Sequence, residues 1–196
     1  MDYKELISSK LPDPFLKNES QNGLWYRVLN KGLTIQLPDR SRLIVRWMNH
    51  LDVPYICEIE REIFPSPWQA ESFLYELGNR DYNISFVGLI EKKMVTYSTS
   101  YVVYDEFHFS NIAVVPELRK KKIGETMLVL ALKIGMEKNC QIAHLEVRKS
   151  NLPAIALYQK HGFQAVGVRK NYYQNENEDA LLMTKTLSGE NRHGVV

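Results

Sequence analysis

The spacing of hydrophobic positions changes several times along the chain, and each change marks an element. Before Arg42 the pattern is weak. Pro12, Pro14, Pro38 and the polar run Lys17-Asn18-Glu19-Ser20-Gln21-Asn22-Gly23 interrupt any long period. Only 24–29 and 33–37, on either side of Asn30-Lys31-Gly32, suggest a short hairpin with glycine in its turn. From Arg42 the signal strengthens, and Leu43-Ile44-Val45-Arg46-Trp47 reads as a strand. Tyr55, Ile56, Ile59 and Ile63 then recur at helical spacing behind Asp52, a suitable cap. Phe64-Pro65-Ser66-Pro67-Trp68 stops that helix, and a second follows over about 69–77. Residues 84–90, 94–104 and 106–115 are β-rich and jointed at Lys92-Lys93 and Asp105, which predicts an antiparallel meander.

After Pro116 and a basic turn, Ile123, Met127, Leu130, Ala131 and Ile134 form the apolar stripe of an amphipathic helix. Residues 142–148 read as a strand. Asn151-Leu152-Pro153 opens a further helix by cap and first-turn proline, and Gly162 stops it. Strands over 164–169 and 180–185 complete the series. The order predicts an α+β (or α/β) domain around one mixed, mostly antiparallel sheet of about seven strands with about four helices. The expected organisation is an N-terminal extension over 1–41, a domain over 42–187 and a tail over 188–196.

Length and composition narrow the function. The 196 residues suit one domain, and 44% hydrophobic with 24% charged residues is ordinary for a globular chain. No apolar run approaches the ~18 residues of a membrane span, and no secretory signal is evident, so a cytoplasmic protein without a membrane partner is expected. A net charge of +2 is too near neutral for a nucleic-acid coat. Cys57 and Cys140 form no CxxC pair, and the five histidines show no ligand spacing. His144-Leu145-Glu146 spells the first half of a zinc-deaminase signature whose second half is absent, so no metal is expected.

The most informative joint is Asn111-Ile112-Ala113-Val114-Val115-Pro116-Glu117-Leu118-Arg119-Lys120-Lys121-Lys122-Ile123-Gly124, where a strand gives way to a basic turn and a helix. A helix N-terminus offers unpaired N–H groups and partial positive charge, which suit phosphate oxygens, and four cations strengthen the site. Neither a Walker A loop nor a GxGxxG fingerprint is present.

Arg119-x-x-Lys122-x-Gly124 after a strand resembles the acetyl-CoA pyrophosphate loop of the GNAT N-acetyltransferases. The resemblance extends to Leu145-Glu146-Val147-Arg148, Ser150-Asn151, Ala154-Ile155-Ala156-Leu157-Tyr158, Gly162-Phe163, Val168-Arg169-Lys170-Asn171-Tyr172-Tyr173 and Glu178-Asp179-Ala180. With Phe64-Pro65-Ser66-Pro67-Trp68, that string is similar to the ribosomal-protein-alanine N-acetyltransferases, over about 42–187. The resemblance implies the GNAT fold, acetyl-CoA as cosubstrate and a protein N-terminus, that of a ribosomal protein, as acceptor, with the enzyme a monomer. It further implies that Ile112, Ala113 and Val114 present strand backbone groups to the pantetheine and thioester, with the Val114 N–H polarising the acetyl carbonyl. Arg119, Lys120, Lys121, Lys122, Ile123, Gly124 and Glu125 would hold the pyrophosphate, and Asn151 would contact the cofactor. Glu146 would be the general base, Tyr158 the general acid, and Phe64, Trp68, Tyr172 and Tyr173 would flank the peptide. Lys122 departs from the family pattern by replacing its first glycine. Residues 1–41 have no counterpart and are expected to be dispensable for transfer.

Residue chemistry agrees with these roles. Amide formation from a thioester needs a deprotonated amine, a stabilised oxyanion and a protonated leaving thiolate. A carboxylate, a backbone N–H and a tyrosine supply them. Glu146 alternates with apolar Leu145 and Val147, and Tyr158 lies on the helix that follows, so both can face one cleft. An α-amine loses its proton ~2.5 units lower than a lysine, which suits a modest base. The alternatives are a lysine or small-amine acetyltransferase, and a non-catalytic acyl-CoA- or RNA-binding module using the basic turn.

Overall fold

The computed structural model describes residues 1, 2, 4, 23–78 and 82–187. Among them are eight strands: β1 (Leu33–Gln36), β2 (Arg42–Trp47), β3 (Phe86–Ile90), β4 (Lys93–Val103), β5 (Glu106–Val114), β6 (Ile142–Arg148), β7 (Gln164–Tyr173) and β8 (Glu178–Thr186). The five helices are α1 (Leu24–Asn30), α2 (Val53–Ile63), α3 (Ala70–Leu77), α4 (Ile123–Glu137) and α5 (Leu152–Lys160). The α+β class holds, with one more strand and one more helix than the sequence pattern predicts. One sheet contains every strand in the order β1-β2-β3-β4-β5-β6-β8-β7. All neighbours are antiparallel except β5 and β6. None of the described helices is long and apolar enough to cross a membrane.

The parallel junction opens a gap in the sheet. β5 and β6 pair only from Glu106↔Ile142 to Phe109↔Leu145. Beyond that, β5 stays with β4 as far as Val114 and β6 stays with β8 as far as Arg148, so the two part and leave a gap. Helix α4 crosses between them. Its buried residues lie on every side and include Met127, Leu128, Val129, Leu130, Ala131 and Leu132, rather than the single stripe that the pattern predicts. The sheet covers one side and α1 packs against another. Gly135 allows the close approach, since a Cβ there would lie 2.6 Å from the Phe107 ring.

The N-terminal region differs from the predicted hairpin. Residues 24–30 are helical, because Leu24, Trp25, Val28 and Leu29 repeat at i, i+1, i+4 and i+5. The Glu137 carboxylate of α4 accepts the N–H groups of Leu24 and Trp25, both at 2.9 Å, and so satisfies two donors at the start of α1. Lys138 sits over the Trp25 ring, 4.0 Å from its centroid. Strand β1 pairs with β2 across the turn at Asp39, and Val28, Leu33, Ile35 and Leu37 join the main core. Most of the remaining N-terminal residues, and the tail from 188, lie outside the described residues.

Asp52 also departs from its expected role. Its carboxylate receives Arg46 through two 2.7 Å hydrogen bonds and caps no α-helical N–H. Asn49 is the capping residue, for the short turn that precedes α2. On α2, Ile56 and Ile59 are buried as expected, Tyr55 is exposed, and Glu60 takes a place on the buried face.

Candidate active site

A cleft of about 420 Å³ opens where β5 and β6 diverge. The structure brings Glu146 of β6 and Tyr158 of α5 to its lining, together with Ile112 of β5 and Asn151. Phe64 and Trp68, from the segment between α2 and α3, form part of the same wall as Tyr172 and Tyr173 at the end of β7. The strand β7 runs four residues beyond its predicted end at 169, and this extension carries both tyrosines to the cleft.

Backbone direction in β5 follows from one hydrogen bond. Val115 donates its N–H to Val95 O at 3.0 Å, so Val115 faces β4. By antiparallel alternation Val114, and Ile112 with it, turn their N–H and C=O groups into the gap. Arg119 Nε, 3.3 Å from Val114 O, fits that orientation. Ala113 faces the other way, and its carbonyl accepts Thr96 Oγ1 at 2.6 Å. Only two of the three strand residues expected along the cofactor therefore offer backbone groups to the gap.

Further along, the basic turn leads into α4. Lys120 and Lys122 both adopt the left-handed conformation, with φ of 63° and 68°. This explains why glycine suits the place of Lys122, since a Cβ there costs roughly 1–2 kcal/mol. Thr126 N–H is bonded to Lys122 O, so the N–H groups of Ile123, Gly124 and Glu125 precede the first intrahelical bond. Glu125 is among the residues expected to hold the pyrophosphate, but its side chain is engaged elsewhere. Its carboxylate is buried and accepts Lys122 Nζ and His161 Nε2, both at 2.9 Å, as well as Lys160 Nζ. Lys121 pairs with Asp39 at 3.4 Å, and Asn151 spends its side-chain oxygen on capping α5 at Ala154 N.

The two expected catalytic groups differ in environment. Tyr158 is buried against Phe163, and burial pushes its phenol upward, so it stays protonated throughout the neutral range. Glu146 is exposed, with Arg169 3.7 Å away, and Arg169 also lies over the Tyr172 ring. Beside them Arg148 stacks on Tyr173 and pairs with Glu176 and Glu178, each at 3.3 Å. Burial pushes the Tyr173 phenol up to about 12. Ser66 donates to Glu176 at 2.7 Å and accepts from Asn175 at 2.9 Å, which joins the two loops at the cleft mouth. Ser66 and then Arg148 hold the Glu176 carboxyl below the usual range.

Sequence reasoning missed Glu60, which lies in the cleft wall and is almost fully buried. One signal was available: a carboxylate four residues after Ile56 falls on the apolar face of its helix. Asn111, Ser66 and Glu176 were also missed, because each acquires meaning only through contacts distant in sequence. Among the described residues, no group of His, Cys, Asp and Glu could hold a metal ion.

Comparison with known proteins identifies the family. Residues 53–163 match the acetyltransferase (GNAT) family. The chain is 38% identical over 149 residues to a putative ribosomal protein bS18-alanine N-acetyltransferase of Bacillus subtilis, covering 76% of this chain and 99% of that protein. It is 34% identical over 153 residues to an N-alpha-acetyltransferase of Saccharolobus solfataricus, covering 69% and 88% respectively. The crystal structure of the ribosomal-protein-S18-alanine N-acetyltransferase from Escherichia coli superposes with a TM-score of 0.69 at 30% identity, covering 78% of this chain and 99% of that one. The chain therefore belongs to the GNAT family of acetyltransferases and is an acetyl-CoA-dependent enzyme.

Proposed function

We propose that this enzyme transfers the acetyl group to the N-terminal α-amine of a protein, with a ribosomal-protein alanine as its acceptor, by direct attack in a ternary complex. The observation that carries the reading is the convergence of Glu146, Tyr158 and Ile112 on one cleft, with Val114 two residues further along the same strand and facing the same way. In this reading the Val114 N–H donates to the acetyl carbonyl as negative charge develops there, a contribution of roughly 3–4 kcal/mol at such sites. Glu146 removes the proton from the attacking amine, and Tyr158 supplies one to the departing thiolate. The names of the Bacillus, Saccharolobus and Escherichia relatives support the choice of a terminal amine. Elementary acidity does too, since an α-amine is easier than lysine to present neutral at pH 7 by ~3.4 kcal/mol. Turnover of acetyl-CoA with Ala-first, Ser-first and internal-Lys peptides tests the reading. Preference for the lysine peptide would replace it with lysine acetylation.

Tyr158→Phe is expected to lower kcat while leaving KM nearly unchanged, because the hydroxyl acts only as the thiolate leaves. The ring keeps its packing on Phe163, so thermal stability should hardly move. Steady-state kinetics with an Ala-first peptide check this, and a silent variant would make Tyr158 only a core aromatic.

Lys122→Gly is expected to change Kd for acetyl-CoA by less than ~5-fold at physiological salt. Glycine relieves the left-handed backbone, while the lost ammonium weakens attraction to a diphosphate. That ammonium already shares the Glu125 carboxylate, so its loss is moderated. The salt dependence should become shallower. Calorimetric titration at two ionic strengths decides, and binding more than tenfold tighter with an unchanged salt slope would show the lysine to be a steric burden only.

A further inference from the structure

Glu60 is 1% exposed, yet it belongs to the cleft wall and has no part in the transfer chemistry described above. Its carboxylate joins three separate elements. Oε1 accepts the Tyr97 hydroxyl of β4 and Asn111 Nδ2 of β5, the latter at 3.0 Å, and Oε2 accepts Trp68 N–H at 2.7 Å. All three groups donate, which is the arrangement an ionised carboxylate requires. Burial pushes the carboxyl upward, and the donors from Tyr97, Trp68 and Asn111 act against that rise.

The partners define what the carboxylate holds. Trp68 closes the 64–68 segment on the acceptor side of the cleft, and its ring packs on Phe73, which packs in turn on Tyr97. Asn111 immediately precedes Ile112, beside an irregularity in the β4–β5 register that leaves Ser110 without a cross-strand partner. Such bulges re-aim side chains near functional sites. One carboxylate thus fixes the acceptor wall to the strand whose backbone faces the gap.

We infer that Glu60 is a positioning residue that sets the spacing between the acceptor wall at Trp68 and the β5 strand at Asn111. This rests on the proposed amine acetylation. Positioning of this kind matters because reacting atoms must be held within a few ångströms of one another in a narrow range of orientations.

Replacement by glutamine shows why charge and geometry both count. If the amide keeps its oxygen toward Tyr97 and Asn111, its NH₂ faces the Trp68 N–H. If it turns over, Trp68 keeps an acceptor but Asn111 must reverse its own amide. Either outcome alters one wall of the cleft. Glu60→Gln is therefore expected to raise KM for the acceptor peptide ~10-fold, with Kd for acetyl-CoA within ~3-fold of wild type. Asn111→Ala, at a part-buried position where folding is less at risk, should raise the same KM. Because both act through one carboxylate, the double variant should be far from additive.

The experiment measures peptide KM and kcat, calorimetric Kd for acetyl-CoA and Tm for wild type, both single variants and the double variant. A raised peptide KM with strong non-additivity supports positioning. A fall in Tm and kcat with peptide KM unchanged makes Glu60 a structural residue only and overturns the inference, as does simple additivity. Wild-type protein that acetylates no amine would instead overturn the proposed function, so the two failures are distinguishable.

Discussion

A chain that begins at Asp39 is expected not to fold. Val28, Leu33, Ile35 and Leu37 are each 2% exposed or less and belong to the same core as the strands around the cleft. Burial of each contributes about 1.5–3 kcal/mol, so their joint loss removes about 6–12 kcal/mol. Whole domains of this size are stable by only about 5–15 kcal/mol. Truncation also strips β1 from β2, unseats Trp25 from its edge-on contact with Trp47, and leaves the Glu137 carboxylate without α1 to cap. Circular dichroism and a thermal scan of the truncated chain check this. A soluble, cooperatively melting, active product would show that the first 38 residues are the dispensable extension that the sequence suggests.

Glu146→Gln is expected to lower kcat ~10²-fold at neutral pH, the usual weight of a general base, and the deficit should shrink as pH rises. The direction follows from the acceptor. Below its pKa an α-amine is mostly protonated and needs a group to take its proton, whereas above it the amine attacks unaided. Glu146 is exposed at the cleft with Arg169 3.7 Å away, so the glutamine variant keeps its place in the sheet and should not unfold the protein. A pH–rate profile from pH 6 to 10 is the measurement. A variant profile parallel to that of wild type would remove Glu146 from proton transfer.

Much of this architecture is visible in local spacing. The meander β3–β5, the helix opened by Asn151 and Pro153, and the stop at Gly162 all lie where periodicity and capping chemistry put them, because those signals are confined to a few neighbouring residues. The first strand is visible as well, but its partner is not. Leu33–Gln36 pairs forward with β2, while the segment behind it is a helix that depends on Glu137, more than a hundred residues away. Helix α4 shows the same limit, since an amphipathic stripe says nothing of the α1 helix that covers another side. The candidate site divides likewise. Glu146, Tyr158 and the basic turn stand in a continuous, recognisable string, whereas Glu60 acquires meaning only when α2, Trp68, Tyr97 and Asn111 meet. Lys122 lies between these cases. Its identity departs from the expected loop pattern, but its left-handed backbone emerges only from the fold.

The short parallel junction has a thermodynamic consequence. Past Phe109 and Leu145 no ladder connects the two halves of the sheet, which depend there on α4 and the underlying core. A molecule that bridged β5 and β6 there would bind only when both strands are in place, so its affinity would add to the free energy of unfolding. At a hundred times Kd that linkage is worth about 2.7 kcal/mol, a large fraction of the stability of a domain this size. Resistance to unfolding and to proteolysis would then rise and fall with the supply of the ligand that fills the gap. With the proposed cosubstrate in that opening, the lifetime of the folded enzyme would become responsive to its own supply of acetyl groups.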